Sequence, residues 1–351
     1  MPQTLKRDCK EKSIQEEMYA VLFYGPQDIR YEKISIPKIN ENEILVKVKT
    51  VLTGGTDLKT YERGHPVLIK KVPSPFGHQF AGEIARIGGK VNNFKIGQKV
   101  VAMNSAPCFK CEYCKEEKYS LCEDLIFLNG AYAEYIAIPE RIVKHNTYEI
   151  PHGINFQSAA IVESLAVVLH GLDRSGVKKG KTVCVIGTGS IGLLFVLLSK
   201  IFGANVISLG RKEEKLKIAK EIGADFVGVL HATPLQQPDI VIEATGQPEV
   251  WELATKIVRK GGLVNFFGGC KKGTKVELDT YRLHYDELKL IGVFHHTPKY
   301  VQEAIQLLKD NPRIESKISK IITHKMPLSD LEKAFKLQKE GKAIQVAIEP
   351  N

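Results

Sequence analysis

The 351-residue chain predicts an α/β protein in two parts, a β-rich part and a doubly wound parallel sheet. Three observations lead there. Short alternating segments crowd residues 19–100. A strand, glycine turn and apolar helix follow Gly180. The end of the chain returns to two helices and a final strand. At ~150 residues per domain, this length suits about two domains with large cores.

The β-rich part begins at Tyr19-Ala-Val-Leu-Phe. Before it, Met1–Glu17 is polar and lacks the apolar core of a secretory signal, so it is an N-terminal extension. Glu43-Ile-Leu-Val-Lys-Val-Lys alternates apolar and polar residues, as a half-buried strand does. Turns at Thr53-Gly-Gly, Arg63-Gly-His-Pro and Gly88-Gly punctuate a barrel or sandwich of short strands. Residues 157–172 read as a helix. Helical stretches Lys299–Lys309 and Leu328–Lys339 and a strand, Ala343-Ile-Gln-Val-Ala-Ile, close the chain.

Composition excludes several roles. Apolar residues make up 43% and charged residues 26%, ordinary for a globular protein. The longest apolar runs, such as Ile191–Leu198, fall well short of the ~20 residues that span a bilayer. The net charge is +10, but the charges are interspersed, as on a solvated lysine-rich surface. No nucleic-acid module or basic aromatic stripe is present, although a positive field favours anionic ligands.

Lys181-Thr-Val-Cys-Val-Ile-Gly187-Thr188-Gly189-Ser190-Ile191-Gly192 places a G-x-G-x-x-G turn between a β-branched strand and an apolar helix. That context makes it a dinucleotide fingerprint. Gly187 permits the tight turn, Gly189 lets the backbone approach a pyrophosphate, and Gly192 allows close helix–strand packing. The next strand, Ala204-Asn-Val-Ile-Ser-Leu, ends at Gly210-Arg211-Lys212, where an NAD site usually carries an acid. Arg211 and Lys212 suit a 2′-phosphate instead, which favours NADP over NAD, and Lys215 is assigned to the cofactor with them.

Four of seven cysteines fall at Cys108-x2-Cys111-x2-Cys114-x7-Cys122. This is not a secreted disulfide framework but a metal cluster in a reduced, cytoplasmic protein. Four thiolates close a tetrahedral shell around a structural zinc. An iron–sulfur cluster is the alternative, but the last gap and the absence of a following proline differ from the bacterial ferredoxin run. Cys184 lies in an apolar strand and is packed there; Cys9 and Cys270 remain.

These residues resemble the zinc-containing medium-chain alcohol and polyol dehydrogenases, of the sorbitol and threonine dehydrogenase kind. Further matches are Gly55-Thr56-Asp57-Leu58, Pro75-Phe76-Gly77-His78, Glu163-Ser-Leu-Ala and Leu328-Ser-Asp-Leu-Glu-Lys-Ala-Phe with Gly341-Lys-Ala. The resemblance implies a GroES-like catalytic domain over 18–160, with a zinc lobe at about 104–124. It places a Rossmann cofactor domain over 161–298 and the rest of the catalytic domain over 299–351. It also implies a homodimer or homotetramer, and the oxidation of an alcohol or polyol, or reduction of its carbonyl, by hydride transfer. Two departures stand out. Where the family carries a ligand cysteine, this chain has Gly54, and the family's Gly-His-Glu reads Gly77-His78-Gln79. A catalytic metal on His78, Gln79 and Glu163 would therefore lack a thiolate and one negative charge. Zinc, a harder metal or an empty site all remain open. By resemblance Thr56 relays the proton, Lys59 lies near the cofactor ribose, and His78 and Glu163 complete the catalytic set. Without a metal, Lys59 or His78 would supply the proton to a carbonyl, as in a metal-independent carbonyl reductase; a non-catalytic dinucleotide-binding protein on the same fold is the other alternative. His65, His295 and His296 are weaker candidates near the cleft.

Overall fold

The computed structural model describes residues 16–230 and 237–350. The strand expected from Tyr19 starts at Glu17, so the N-terminal extension, with Cys9, lies almost wholly outside the described residues. Among those described, no helix is long and apolar enough to cross a membrane.

The β-rich part is organised on the strand Ile44–Leu52. Ile44, Val46 and Val48 are fully buried while Lys47 and Lys49 alternate outward, which fixes the strand's register against its core. It pairs antiparallel with Gln79–Ile87 on one side and with Tyr135–Ile138 and Gln345–Glu349 on the other. The seven-stranded sheet runs Thr147–Glu149, Lys99–Ala102, Gln79–Ile87, Ile44–Leu52, Gln345–Glu349, Ile322–Pro327, with Tyr135–Ile138 paired off this path to Ile44–Leu52. A three-stranded sheet, Asp28–Ser35, Glu17–Gly25 and Ser74–Pro75, accompanies it. Phe76, Phe80, Tyr132 and Phe335 fill the space inside. The last strand matters for function. Ala347 pairs with Leu52 and Ile348 with Val51, so the end of the chain lies beside the Thr53-Gly54-Gly55 turn.

The second part is a six-stranded parallel sheet in the order Phe226–Val229, Asn205–Gly210, Thr182–Ile186, Ile240–Glu243, Leu263–Phe266, Lys289–Gly292. Thr182–Ile186 is covered on both faces, which is why its sequence is continuously apolar rather than alternating. Strand order reverses at that strand, and such switch points open a crevice at the carboxyl ends.

The helix expected over 157–172 is two helices, Phe156–Ala160 and Val162–Ser175. Ile161 takes a turn conformation (φ −79, ψ −6) that changes the chain's direction between them. Most of Val162–Ser175 is buried, so two of its polar members on the cleft side, Glu163 and His170, sit in an apolar wall, while Asp173 and Arg174 are exposed at its end.

Candidate active site and metal centres

A cleft of about 1630 Å³ opens where the carboxyl ends of the parallel strands meet the β-rich sheet. Thr56, Lys59, His78 and Gln79 line one wall; Ser190, Ile191, Thr245 and Cys270 line the other.

The glycine turn is built as its spacing demands. Gly187 has φ +116, which only glycine adopts easily, and a Cβ there would lie 3.0 Å from Thr245 Cγ2. A Cβ on Gly192 would run into the Gly187 carbonyl, so helix Ser190–Ile201 can pack this close only on glycine. Gly189 has nothing within 4 Å of its Cβ position, leaving the loop backbone open beside the helix N-terminus. These residues fit a dinucleotide pyrophosphate: Gly187, Thr188, Gly189, Ser190, Ile191 and Gly192 would hold it, on backbone N–H groups at the positive end of the helix. Gly210, which ends the neighbouring strand, is held against Thr188. Arg211 beyond it is exposed. Lys212 departs from the expected phosphate contact, because its amine turns away to the Glu340 carbonyl at the end of helix Leu331–Glu340. Lys215 is half-buried, 3.4 Å from the Ala343 carbonyl, and burial lowers its pKa.

Sequence reasoning passed over Glu243, at the carboxyl end of Ile240–Glu243 and fully buried. It accepts from the Thr245 N–H at 2.6 Å, the Thr245 hydroxyl and the Gly246 N–H at 3.1 Å. Burial raises its pKa against these donors. The signal was an acid directly before Ala-Thr-Gly at a strand end.

The four cysteines converge. Cys108 Sγ lies 3.9 Å from Cys114 Sγ, and Cys111 Sγ 3.9 Å from Cys122 Sγ. Zinc–sulfur bonds of ~2.3 Å give a tetrahedral edge of about 3.8 Å, so the thiols fit zinc with little movement. The Lys110 and Cys111 N–H groups donate to Cys108 Sγ at 3.5 and 3.3 Å. Led by the Lys110 amide, they pull the Cys108 thiol down to about 6. No position is left for a substrate, so the role of such a zinc is structural. Cys184 is wholly buried in its strand, and Cys270 lines the cleft.

The polar centre of the cleft is organised by Asp57. Its Oδ2 accepts from the Gly54 N–H and the Tyr132 hydroxyl, each at 3.0 Å, and its Oδ1 faces His78 Nδ1 at 2.8 Å. Burial opposes a charge on His78, but Asp57 and Glu163 outweigh it and lift the imidazole to about 9. With Nδ1 committed, Nε2 is the nitrogen left for the cleft. Gln79 commits both ends of its amide within the protein. Its Nε2 donates to Glu163 Oε2 at 2.7 Å and to Ser164 Oγ at 2.8 Å, and its Oε1 accepts from Gln345 Nε2 at 2.9 Å. Burial raises Glu163, with His78 and Gln79 pulling against it.

His78, Gln79 and Glu163 are therefore brought together, but not as three donors around one point. A metal at the position that the family's cysteine would share does not fit these residues. Gly54 supplies no ligand, and Gln79 faces the carboxylate with its N–H. Thr56 lines the cleft. Lys59 projects into it, and protein around the amine, together with Arg63, lowers its pKa. His65 lies at the cleft edge, where its Nδ1 accepts from the Val67 and Leu68 N–H groups at 3.3 and 3.2 Å. His295 and His296, weaker candidates expected near the cleft, each offer a nitrogen within 4.8 Å of a Glu163 oxygen.

The parallel sheet with its glycine turn, the polar cleft and the closed thiolate lobe define an α/β oxidoreductase scaffold. Comparison with known proteins takes this further. The family description "Alcohol dehydrogenase GroES-like domain" matches residues 40–151, and "Zinc-binding dehydrogenase" matches residues 190–310. A sorbitol dehydrogenase of Bombyx mori is 29% identical over 95% of this chain and 98% of its own. An L-threonine 3-dehydrogenase of Bacillus licheniformis is 29% identical over 93% and 96%. A zinc-binding dehydrogenase structure from Sinorhizobium meliloti, bound to NADP, superposes with a TM-score of 0.85 at 27% identity, covering 96% of this chain and all of that one. The chain belongs to the zinc-type medium-chain alcohol and polyol dehydrogenase family.

Proposed function

We propose that the protein interconverts a secondary alcohol or polyol and its carbonyl compound using NADP in preference to NAD. The observation that carries this is that Ser190 and Ile191, from the glycine turn, and the Thr56, Lys59, His78 and Glu163 side chains open onto one cleft. The dinucleotide, when bound, supplies the hydride acceptor or donor.

The protein's own residues have three tasks. The Gly187–Gly192 backbone and Arg211 hold the phosphates, with Lys215 nearby. His78, charged at neutral pH and fixed by Asp57, presents an N–H to an oxygen that gains negative charge as hydride arrives at its carbon in the reducing direction. Thr56 and Lys59 lie where a hydroxyl proton would travel out; Lys59's lowered pKa brings it closer to a relay's working range. The polyol relatives, the NADP-bound neighbour and the lack of an acid at Gly210–Arg211 support the reading. The reduced thiolates suit the cytoplasm, and assembly as a homodimer or homotetramer is part of the same proposal.

A second reading is favoured by Gln79's commitment to Glu163: a carbonyl reductase that uses no catalytic metal, with His78 as the donor. Steady-state assays on a polyol and ketose panel with NADP and NAD, before and after chelation, separate the two. NADP-preferring oxidation of a polyol supports the first, and carbonyl reduction unchanged by chelation, without polyol oxidation, selects the second. A chain inert over the whole panel refutes both.

A further inference from the structure

We propose that Glu163, His295 and His296 form a divalent-metal site of their own, with two imidazole nitrogens, one carboxylate oxygen and an open position toward the cleft. One donor atom from each lies within 4.8 Å of the other two.

The local structure is arranged to present these donors. Consecutive residues in an extended chain point to opposite sides. Here His295 adopts the left-handed conformation, φ +63, which reverses that alternation and brings the two rings to a centroid separation of 4.1 Å. The kink is held from behind. His170 Nδ1 donates to the His295 carbonyl at 2.7 Å, and the His170 ring stacks on Tyr300, whose hydroxyl donates to Asp173 at 2.6 Å. Gln27, Phe109, Glu117 and Glu287 share this backbone region, but of the five only His295 belongs to a group of metal-ligating side chains that includes a buried acid.

The outer nitrogens are committed in the pattern of metal-bound histidines. His296 Nε2 donates to Asn104 Oδ1 at 2.9 Å, and His295 Nε2 faces Ser105 Oγ at 2.6 Å. Each contact occupies Nε2 and leaves Nδ1 as the nitrogen free to ligate, and ligating imidazoles commonly donate their other N–H to such an oxygen. The decisive atom is His296 Nδ1. The side chain is 2% exposed, and this nitrogen is buried with no partner. Leaving it so costs free energy that an ion would recover. On the third side, Gln79 and Ser164 orient Glu163 through Oε2.

Two neutral imidazoles and one carboxylate suit zinc or another first-row divalent cation. The donor set contains neither Gly54, His78 nor Gln79, so it needs nothing from the family's cysteine position. That such an ion would also polarise a substrate oxygen rests on the dehydrogenase reading above; ion binding does not.

The test reads metal binding without cofactor or substrate. The full chain, stripped of metal and titrated with cobalt(II), is followed by elemental analysis and visible absorption. Two equivalents are expected: one with intense thiolate charge-transfer bands, from the four cysteines, and one with only weak ligand-field bands. His296→Ala and Glu163→Gln should each weaken the second equivalent by at least ~100-fold while retaining the charge-transfer bands, because even losing an outer partner costs 10–100-fold. Asn104→Ala, which removes no donor, should weaken it by about 10–100-fold. His78→Ala should leave it in place. The proposal is overturned if the wild type takes up a single equivalent, if His296→Ala and Glu163→Gln bind the second unchanged, or if His78→Ala alone abolishes it. Two equivalents with no turnover on any substrate would uphold this site and sink the dehydrogenase reading instead.

Discussion

Replacing Gly189 and Gly192 separately by alanine divides cofactor binding from folding. A Cβ on Gly192 would penetrate the Gly187 carbonyl oxygen, so helix Ser190–Ile201 and the turn must part by roughly an ångström, in a core with no slack. We expect about 3 kcal/mol, the upper end of overpacking penalties. For a chain of this length that lowers the melting midpoint by roughly 4 °C. Gly189 differs: its φ is −76 and its Cβ would meet nothing within 4 Å. Alanine is a poorer N-cap than glycine, but it also lowers the entropy of the unfolded chain, so net stability should change by less than ~0.5 kcal/mol. The methyl would instead stand where a pyrophosphate meets the backbone. Losing one charge-assisted hydrogen bond there costs about 2 kcal/mol, or ~30-fold in affinity. Thermal unfolding followed by circular dichroism and NADPH titration by fluorescence measure the two effects. Wild-type NADPH affinity in Gly189→Ala would show that the pyrophosphate does not lie on this turn, and a wild-type melt for Gly192→Ala would refute the packing argument.

Three further outcomes are expected. The Asp57–His78 pair raises the imidazole from its ordinary 6.5 to about 9, so its stabilisation is complete below pH 6.5 and is lost as pH rises through 9. At fixed metal content, the stability advantage over His78→Gln should shrink by at most ~3 kcal/mol between pH 6 and 10 in urea titrations; a constant difference would contradict the ion pair. Cys114→Ser should cost one zinc by elemental analysis and open the lobe to protease while sparing NADPH affinity, and full zinc retention would count against a four-thiolate shell. Arg211→Ala should weaken NADP about 30-fold and leave NAD alone, since a charged hydrogen bond to a 2′-phosphate carries ~2 kcal/mol; equal losses would remove the basis for NADP preference.

The sequence by itself determined whatever depends on neighbours in the chain. Gly187, Gly189 and Gly192 sit within six residues, so their spacing alone dictates the turn. Four cysteines within fifteen residues similarly leave little freedom, and the alternation in Ile44–Leu52 announces its buried face. Tertiary structure decided everything assembled across long separations. Gln79 meets Glu163 and Gln345, 84 and 266 positions away, and these contacts turn its N–H toward the carboxylate. Lys212 looked like a phosphate ligand until helix Leu331–Glu340 placed a carbonyl beside it. The pair His295–His296 reads in sequence only as weaker candidates near the cleft, with nothing to join them to Glu163. A left-handed backbone, clamped by His170 from another helix, turns both rings toward Glu163. No periodicity encodes that kink, because its stabilising contacts come from residues more than a hundred positions away.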